Sequence, residues 1–116
     1  MFEYNAKLIR IVDGDTVDAM VDLGFSTWKK IRVRLYGINT PECRTRDKEE
    51  KKKGLAAKAR LTDLLEMADN EFKLKSHGVG KFGRCLGELF IENADISLQQ
   101  ILINEGHGVA YFGGSR

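Results

Sequence analysis

Three β-branched, apolar runs fill the first third of the chain, LIRIV, TVDAMVDL and IRVRLYGI, and the turn signals DGD and GFSTWKK separate them. Side chains alternate across a strand, so runs of this kind suit strands with one buried face, joined to their neighbours as hairpins. A chain that opens as a meander of short strands leaves no room for the repeated strand–helix alternation of a doubly wound parallel sheet. In the third run Ile31, Val33 and Leu35 share one face and Arg32, Arg34 and Tyr36 share the other. An inward apolar face therefore points Arg34 off the core, into solvent or into a site.

Downstream the period changes. Ala57, Leu61, Leu64, Leu65 and Ala68 recur at helical spacing, which predicts an amphipathic helix over GLAAKARLTDLLEMA. Two more strand-like pieces follow, EFKLKS and GRCLGELFIE, with turn-rich HGVGKF between them. SLQQILINE then reads as a second helix: Ser97 and Gln100 have capping-box spacing, Leu98, Ile101 and Leu102 form its stripe, and Gly106 stops it. Five short strands with a helix after the third predict an α+β, mainly β fold: a five-stranded OB-like barrel with two or three helices. At 116 residues and 42% hydrophobic content, one domain over 1–116 with its own core is expected.

A net charge of +2 is too mild to specify a polyanion partner by itself. Its distribution is uneven, with eight basic residues against three acidic ones between Arg44 and Arg60. A charge run of that kind is ordinarily a solvated face. No apolar run is long enough to span a bilayer, and MFEYNAKLIR lacks the parts of a signal peptide. The expectation is a cytoplasmic monomer in which Cys43 and Cys85 remain reduced thiols. His77 and His107 read as turn or surface residues.

IVDGDTV admits three chemistries. Asp13 and Asp15 have the spacing of a phosphotransferase nucleophile loop, but that chemistry needs a parallel sheet and later phosphate-binding groups that the meander excludes. Asp-Gly between alternating runs is also a strong hairpin signal, because both residues tolerate positive φ. The third possibility is half a metal site, and a turn can present a carboxylate as well as bend.

Other strings decide between them. DGDT, then Arg34 six residues ahead of Thr-Pro-Glu, then KFGRCL, in this order around one helix, resemble the staphylococcal nuclease (thermonuclease) family, from about Leu8 to Tyr111. The resemblance implies a Ca²⁺-dependent nuclease that hydrolyses phosphodiester bonds in DNA and RNA without regard to the sugar, leaving 3′-phosphate ends. It implies Asp15 and the Thr40 carbonyl as metal ligands, Asp13 in support behind them, and Glu42 as the group that activates water. Arg34 and Arg84 would grip the phosphate, since guanidinium donates bidentately to paired oxygens. Lys81, Phe82 and Tyr111 match the family's nucleotide contacts, with Phe82 in place of the usual tyrosine. The basic Arg44–Arg60 stretch matches a mobile loop beside the site.

The chain departs from the pattern just before Thr-Pro-Glu, where Asn39 stands in place of an aspartate ligand. An amide oxygen still binds a hard cation, but one negative charge is lost, so weaker Ca²⁺ binding or another divalent ion is expected. The same substitution favours the alternative reading, a catalytically inactive OB-fold module that binds nucleic acid.

Overall fold

The DGD turn closes the first hairpin, between β1 (Phe2–Asp13) and β2 (Thr16–Asp22), with Asp13 opposite Thr16. β1 begins six residues ahead of the LIRIV run because Tyr4 and Ala6 continue its alternation and its first half pairs with a later strand. The structure, a computed structural model, describes residues 2–79, 84–92 and 94–111.

The second hairpin leads into β3 (Trp28–Leu35) through a turn closed by Thr27 N–H on the Gly24 carbonyl. The turn is shorter than GFSTWKK suggested, and Trp28 to Lys30 belong to the strand. Its central residues, Phe25 and Ser26, sit at φ 53° and 61°, left-handed values that cost L-residues with a Cβ about 1 kcal/mol or more each. After β3 come β4 (Gly37–Asn39), α1 (Lys48–Glu66), β5 (Glu71–Val79), β6 (Cys85–Phe90), α2 (Leu98–Asn104) and β7 (Val109–Tyr111).

β1, β2, β3, β6 and β5 close into a barrel in that order, with β5 returning to β1. Only the β3–β6 contact is parallel; the other barrel pairs are antiparallel. The OB-like barrel is thus present, with two helices among the described residues. A two-stranded sheet, β4 with β7, is an element the sequence reading did not contain.

The alternation does what it implied. Val17, Ala19, Val21, Val33, Leu35, Leu74 and Leu89 fill the barrel, and Leu61, Leu64, Leu65, Leu98 and Leu102 seal it from the helices. Helix α1 starts six residues before the expected Gly54. Asp47 caps it, accepting from the amides of Glu49 and Glu50 at 3.0 and 3.3 Å, and those glutamates favour the positive end of the helix dipole. The KEEKKK turn has no apolar side for periodicity to register. Most of the basic stretch is therefore helix rather than loop. In α2, Ser97 Oγ accepts from Gln100 N–H, as expected of a cap, while the Gln100 side chain turns to Asn104 instead.

Candidate active site

Asp15 is the centre of the arrangement. It is buried in the β1–β2 turn, and one carboxylate oxygen accepts from the Thr16 hydroxyl at 3.1 Å. The other accepts from the Thr40 backbone N–H at 3.1 Å and lies 3.5 Å from the Arg34 guanidinium. Arg34 donates to the carbonyls of Leu35 and Asp15 at 2.8 and 3.4 Å and to the Asn39 side-chain oxygen at 3.4 Å. Leu35 N–H also holds the Asp15 carbonyl, at 2.8 Å. Residues from the first hairpin, the end of β3 and the end of β4 thereby meet around one carboxylate.

Gly14 makes this possible for a reason different from the one its sequence suggested. It is not among the glycines at positive φ. Instead, a Cβ there would lie 2.8 Å from the Ala57 Cβ of α1 and 3.0 Å from the Thr40 hydroxyl oxygen, so the turn packs where no side chain fits. Gly54 acts likewise from the helix. A Cβ on it would meet the Glu42 carbonyl at 2.5 Å, so the Thr-Pro-Glu segment lies directly on α1. Sequence reading took Gly54 only as a helix start; a glycine inside a helix often signals a close backbone approach, and here it does.

Two buried oxygens in this region have no hydrogen-bond partner, Asp13 Oδ1 and Thr40 Oγ1. Cys43 is buried beside Asp13 and the Gly14 amide; burial first, and then the Asp13 carboxylate, push its thiol up, which keeps it neutral. No group of three or more His, Cys, Asp or Glu side chains able to hold a metal exists among the described residues. The oxygens that the structure brings together are those of Asp15 and Asn39, both at the Arg34 guanidinium, with the Thr40 amide on Asp15; the Asp13 carboxylate and the Thr40 carbonyl are the further oxygens the resemblance names. An all-oxygen set with an unmatched buried carboxylate oxygen fits a hard cation such as Ca²⁺ or Mg²⁺, and its low charge fits one held weakly.

The remaining candidates divide. Glu42 is exposed, two residues past Thr40. Arg84 is half-buried and immediately precedes β6; Leu86 is the register partner of Arg34, so alternation puts Arg84 on the Arg34 face. Tyr111 lies in β7 opposite Gly37 of β4 and is half-buried. Lys81 and Phe82 fall outside the described residues.

His77 is neither in a turn nor on open surface. It stands in β5, half-buried, stacked on Tyr36 with centroids 4.0 Å apart and 2.6 Å from a Glu88 oxygen. Alternation from Lys75, the register partner of Glu88, puts His77 on the Glu88 face, and the register shifts only beyond Ser76. The two cysteines are free and differently placed: Cys43 by Asp13, and Cys85 facing the Ser76 hydroxyl at 3.8 Å.

A family model described as staphylococcal nuclease homologue matches residues 32–115. The chain is similar to protein ParB of Escherichia coli, at 31% identity over 90 residues, covering 77% of this chain and 43% of that protein. It is also similar to the uncharacterized protein MJ1439 of Methanocaldococcus jannaschii, at 29% identity over 132 aligned residues, covering 93% and 59%. The chain thus spans about half the length of these relatives.

Proposed function

The chain belongs to the staphylococcal nuclease homologue family, and we propose that it is a metal-dependent nuclease that hydrolyses phosphodiester bonds of DNA and RNA. The observation that carries this reading is the meeting of Asp15, Arg34, Asn39 and Thr40: a buried carboxylate and amide oxygen beside a guanidinium held in place. Phosphodiester hydrolysis requires screening of charge on the equatorial oxygens, donors that orient them, and a base for the attacking water.

Arg34 and Arg84, on one face of adjacent strands, bind the phosphate oxygens from one side and stabilise the charge that builds there. Glu42, exposed on the segment that lies against α1, accepts a proton as water attacks phosphorus. The bond to the 5′-oxygen breaks, that oxygen takes a proton from solvent, and the phosphate stays on the 3′ side. Asp15, Asn39 and the Thr40 carbonyl would hold the divalent cation, with Asp13 behind them, and the cation would supply screening of the negative charge on the phosphate. The family resemblance supplies the role of each residue, and the geometry supports the grouping of four of them.

Denatured DNA incubated with Ca²⁺ or with chelator, beside a Glu42→Gln variant, tests the reading. Cutting that needs the cation and disappears in the variant is expected. Retardation of the DNA without cutting, in every divalent ion tried, sinks it. That outcome leaves the second reading, a nucleic-acid-binding module without catalysis, which Asn39 favours because it brings one negative charge fewer to the site.

A further inference from the structure

The outward face of β3 carries a stripe of which the catalytic reading uses only Arg34. Trp28, Lys30, Arg32 and Arg34 alternate along it with side chains that turn toward the barrel, over roughly 20 Å at ~3.3 Å per residue. Across the sheet Arg32 faces Asp18 of β2, and Arg10 of β1 faces Asp18 from the other side. The Asp18 carboxylate is 2% exposed and accepts from both: from Arg32 at 2.8 and 3.1 Å, and from Arg10 at 2.9 Å. Hydrogen bonds from Arg32, ahead of those from Arg10, hold the Asp18 carboxyl far below the usual carboxylate range against its burial. One carboxylate neutralises one of two guanidiniums. Both arginine side chains remain about half-exposed, at 59% and 45%, so a fixed net positive charge with further N–H donors faces solvent. Farther along, Lys30 is exposed, and Lys7 stands 5.4 Å over the Trp28 ring.

The stripe ends at a cavity of about 720 Å³, at the pole of the barrel opposite Asp15, whose lining includes Asn5, Trp28, Phe72, Lys73 and Phe90. Asp22, Glu71 and Glu92 also line it, and Glu71 lies 3.9 Å from Lys7. With three acids against two lysines, Lys7 and Lys73, the cavity offers a phosphate no net attraction and suits an uncharged ring; phosphates belong on the stripe outside it. We propose that a single strand of nucleic acid runs along β3, its phosphates on Arg32, Arg10 and Lys30 and a distal base stacked on Trp28 at the cavity mouth. This rests on the nuclease reading for its direction: the strand leaves the bond held at Arg34 and is gripped away from the cut. Basic side chains that track a backbone, with a ring that stacks one base, are a sequence-tolerant mode of single-strand binding.

Trp28 is the single tryptophan of the chain, so its emission reports on the track directly. The Glu42→Gln protein is titrated with a single-stranded dinucleotide and with an octanucleotide. The octanucleotide is expected to quench Trp28 and to bind at least about tenfold tighter, within the ~4–16 nucleotides that one such barrel serves. Lys30→Ala, at an exposed position whose loss leaves the barrel intact, is expected to weaken octanucleotide binding and to lower the slope of log K against log salt by about 0.7. Arg32→Ala does the same, and circular dichroism checks that the barrel survives it. Equal affinity for the two lengths, unchanged Trp28 emission, or unchanged binding by the Lys30 variant overturns the track. Cation-dependent cutting by the wild type together with that result leaves the nuclease reading standing; length-dependent binding through Lys30 and Trp28 without cutting leaves the track and sinks the nuclease.

Discussion

Asn39 and Asp18 are the residues where single side chains set the electrostatics. Asn39 offers an amide oxygen at the end of β4, already 3.4 Å from Arg34, where a carboxylate would add a charge to the proposed cation site. Asn39→Asp is expected to tighten Ca²⁺ binding, since affinity follows ligand charge. Calorimetry that shows no gain removes Asn39 from the ligand set. Asp18 bears on stability. Its folded carboxyl is depressed, so the stability it contributes is complete above the unfolded value near ~4 and is lost as pH falls below that. Asp18→Asn is expected to cost about 1–3 kcal/mol from pH 8 to 5, a difference that shrinks as urea melts are taken to lower pH. A difference that grows in acid contradicts the pairing.

At the scale of the elements, two contacts hold the site and neither is visible in a periodic pattern. Gly54 lets α1 touch the Pro41–Glu42 backbone. Gly54→Ala improves helix propensity by about 1 kcal/mol, yet it displaces Glu42. Displacement near 1 Å lowers rate about 10²-fold, so nuclease turnover is expected to fall even if the melting temperature does not. Unchanged turnover argues against Glu42 as the base. Gln99 is buried in α2, within the apolar stripe. It accepts from Leu89 N–H at 3.2 Å and donates to the carbonyls of Tyr36 and Gly87 at 3.0 Å each, which fastens α2 to β6 and to the exit from β3. Gln99→Ala strands the Leu89 amide and takes one donor from the Tyr36 and Gly87 carbonyls, at an expected cost of about 1–3 kcal/mol in denaturant melts. The helix of residues 98–104 was legible from its cap and stripe. The polar plug within it was not, because a glutamine among leucines carries no local signal of what it will meet.

For the molecule as a whole, the barrel is closed by two seams between the β1–β3 meander and the β5–β6 hairpin, the antiparallel β1–β5 pair and the parallel β3–β6 pair. Gly87 sits at the β3–β6 seam, where a Cβ would meet Leu74 Cδ1 at 2.4 Å and Val33 Cγ1 at 3.3 Å inside the barrel. Gly87→Val is expected to overpack the interior and to lower stability by about 1–3 kcal/mol; an unchanged urea midpoint means the wall yields there. Alternation in Ile31–Leu35, helical spacing in Ala57–Leu65 and the Ser97 cap determined the strands, the helices and the faces they bury, because those are consequences of local geometry repeating at fixed periods. The same alternation aimed Arg34 outward, and the family resemblance carried by DGDT, Thr-Pro-Glu and KFGRCL implied roles for Asp15, Glu42 and Arg84. Only the tertiary structure decided that Asp15 meets Arg34 and Thr40, that Gly14 and Gly54 are there to let backbones touch, that His77 stacks on Tyr36, and that Asp18 holds two arginines. Each of these joins residues distant along the chain, and the distances between them exist only once the barrel has closed.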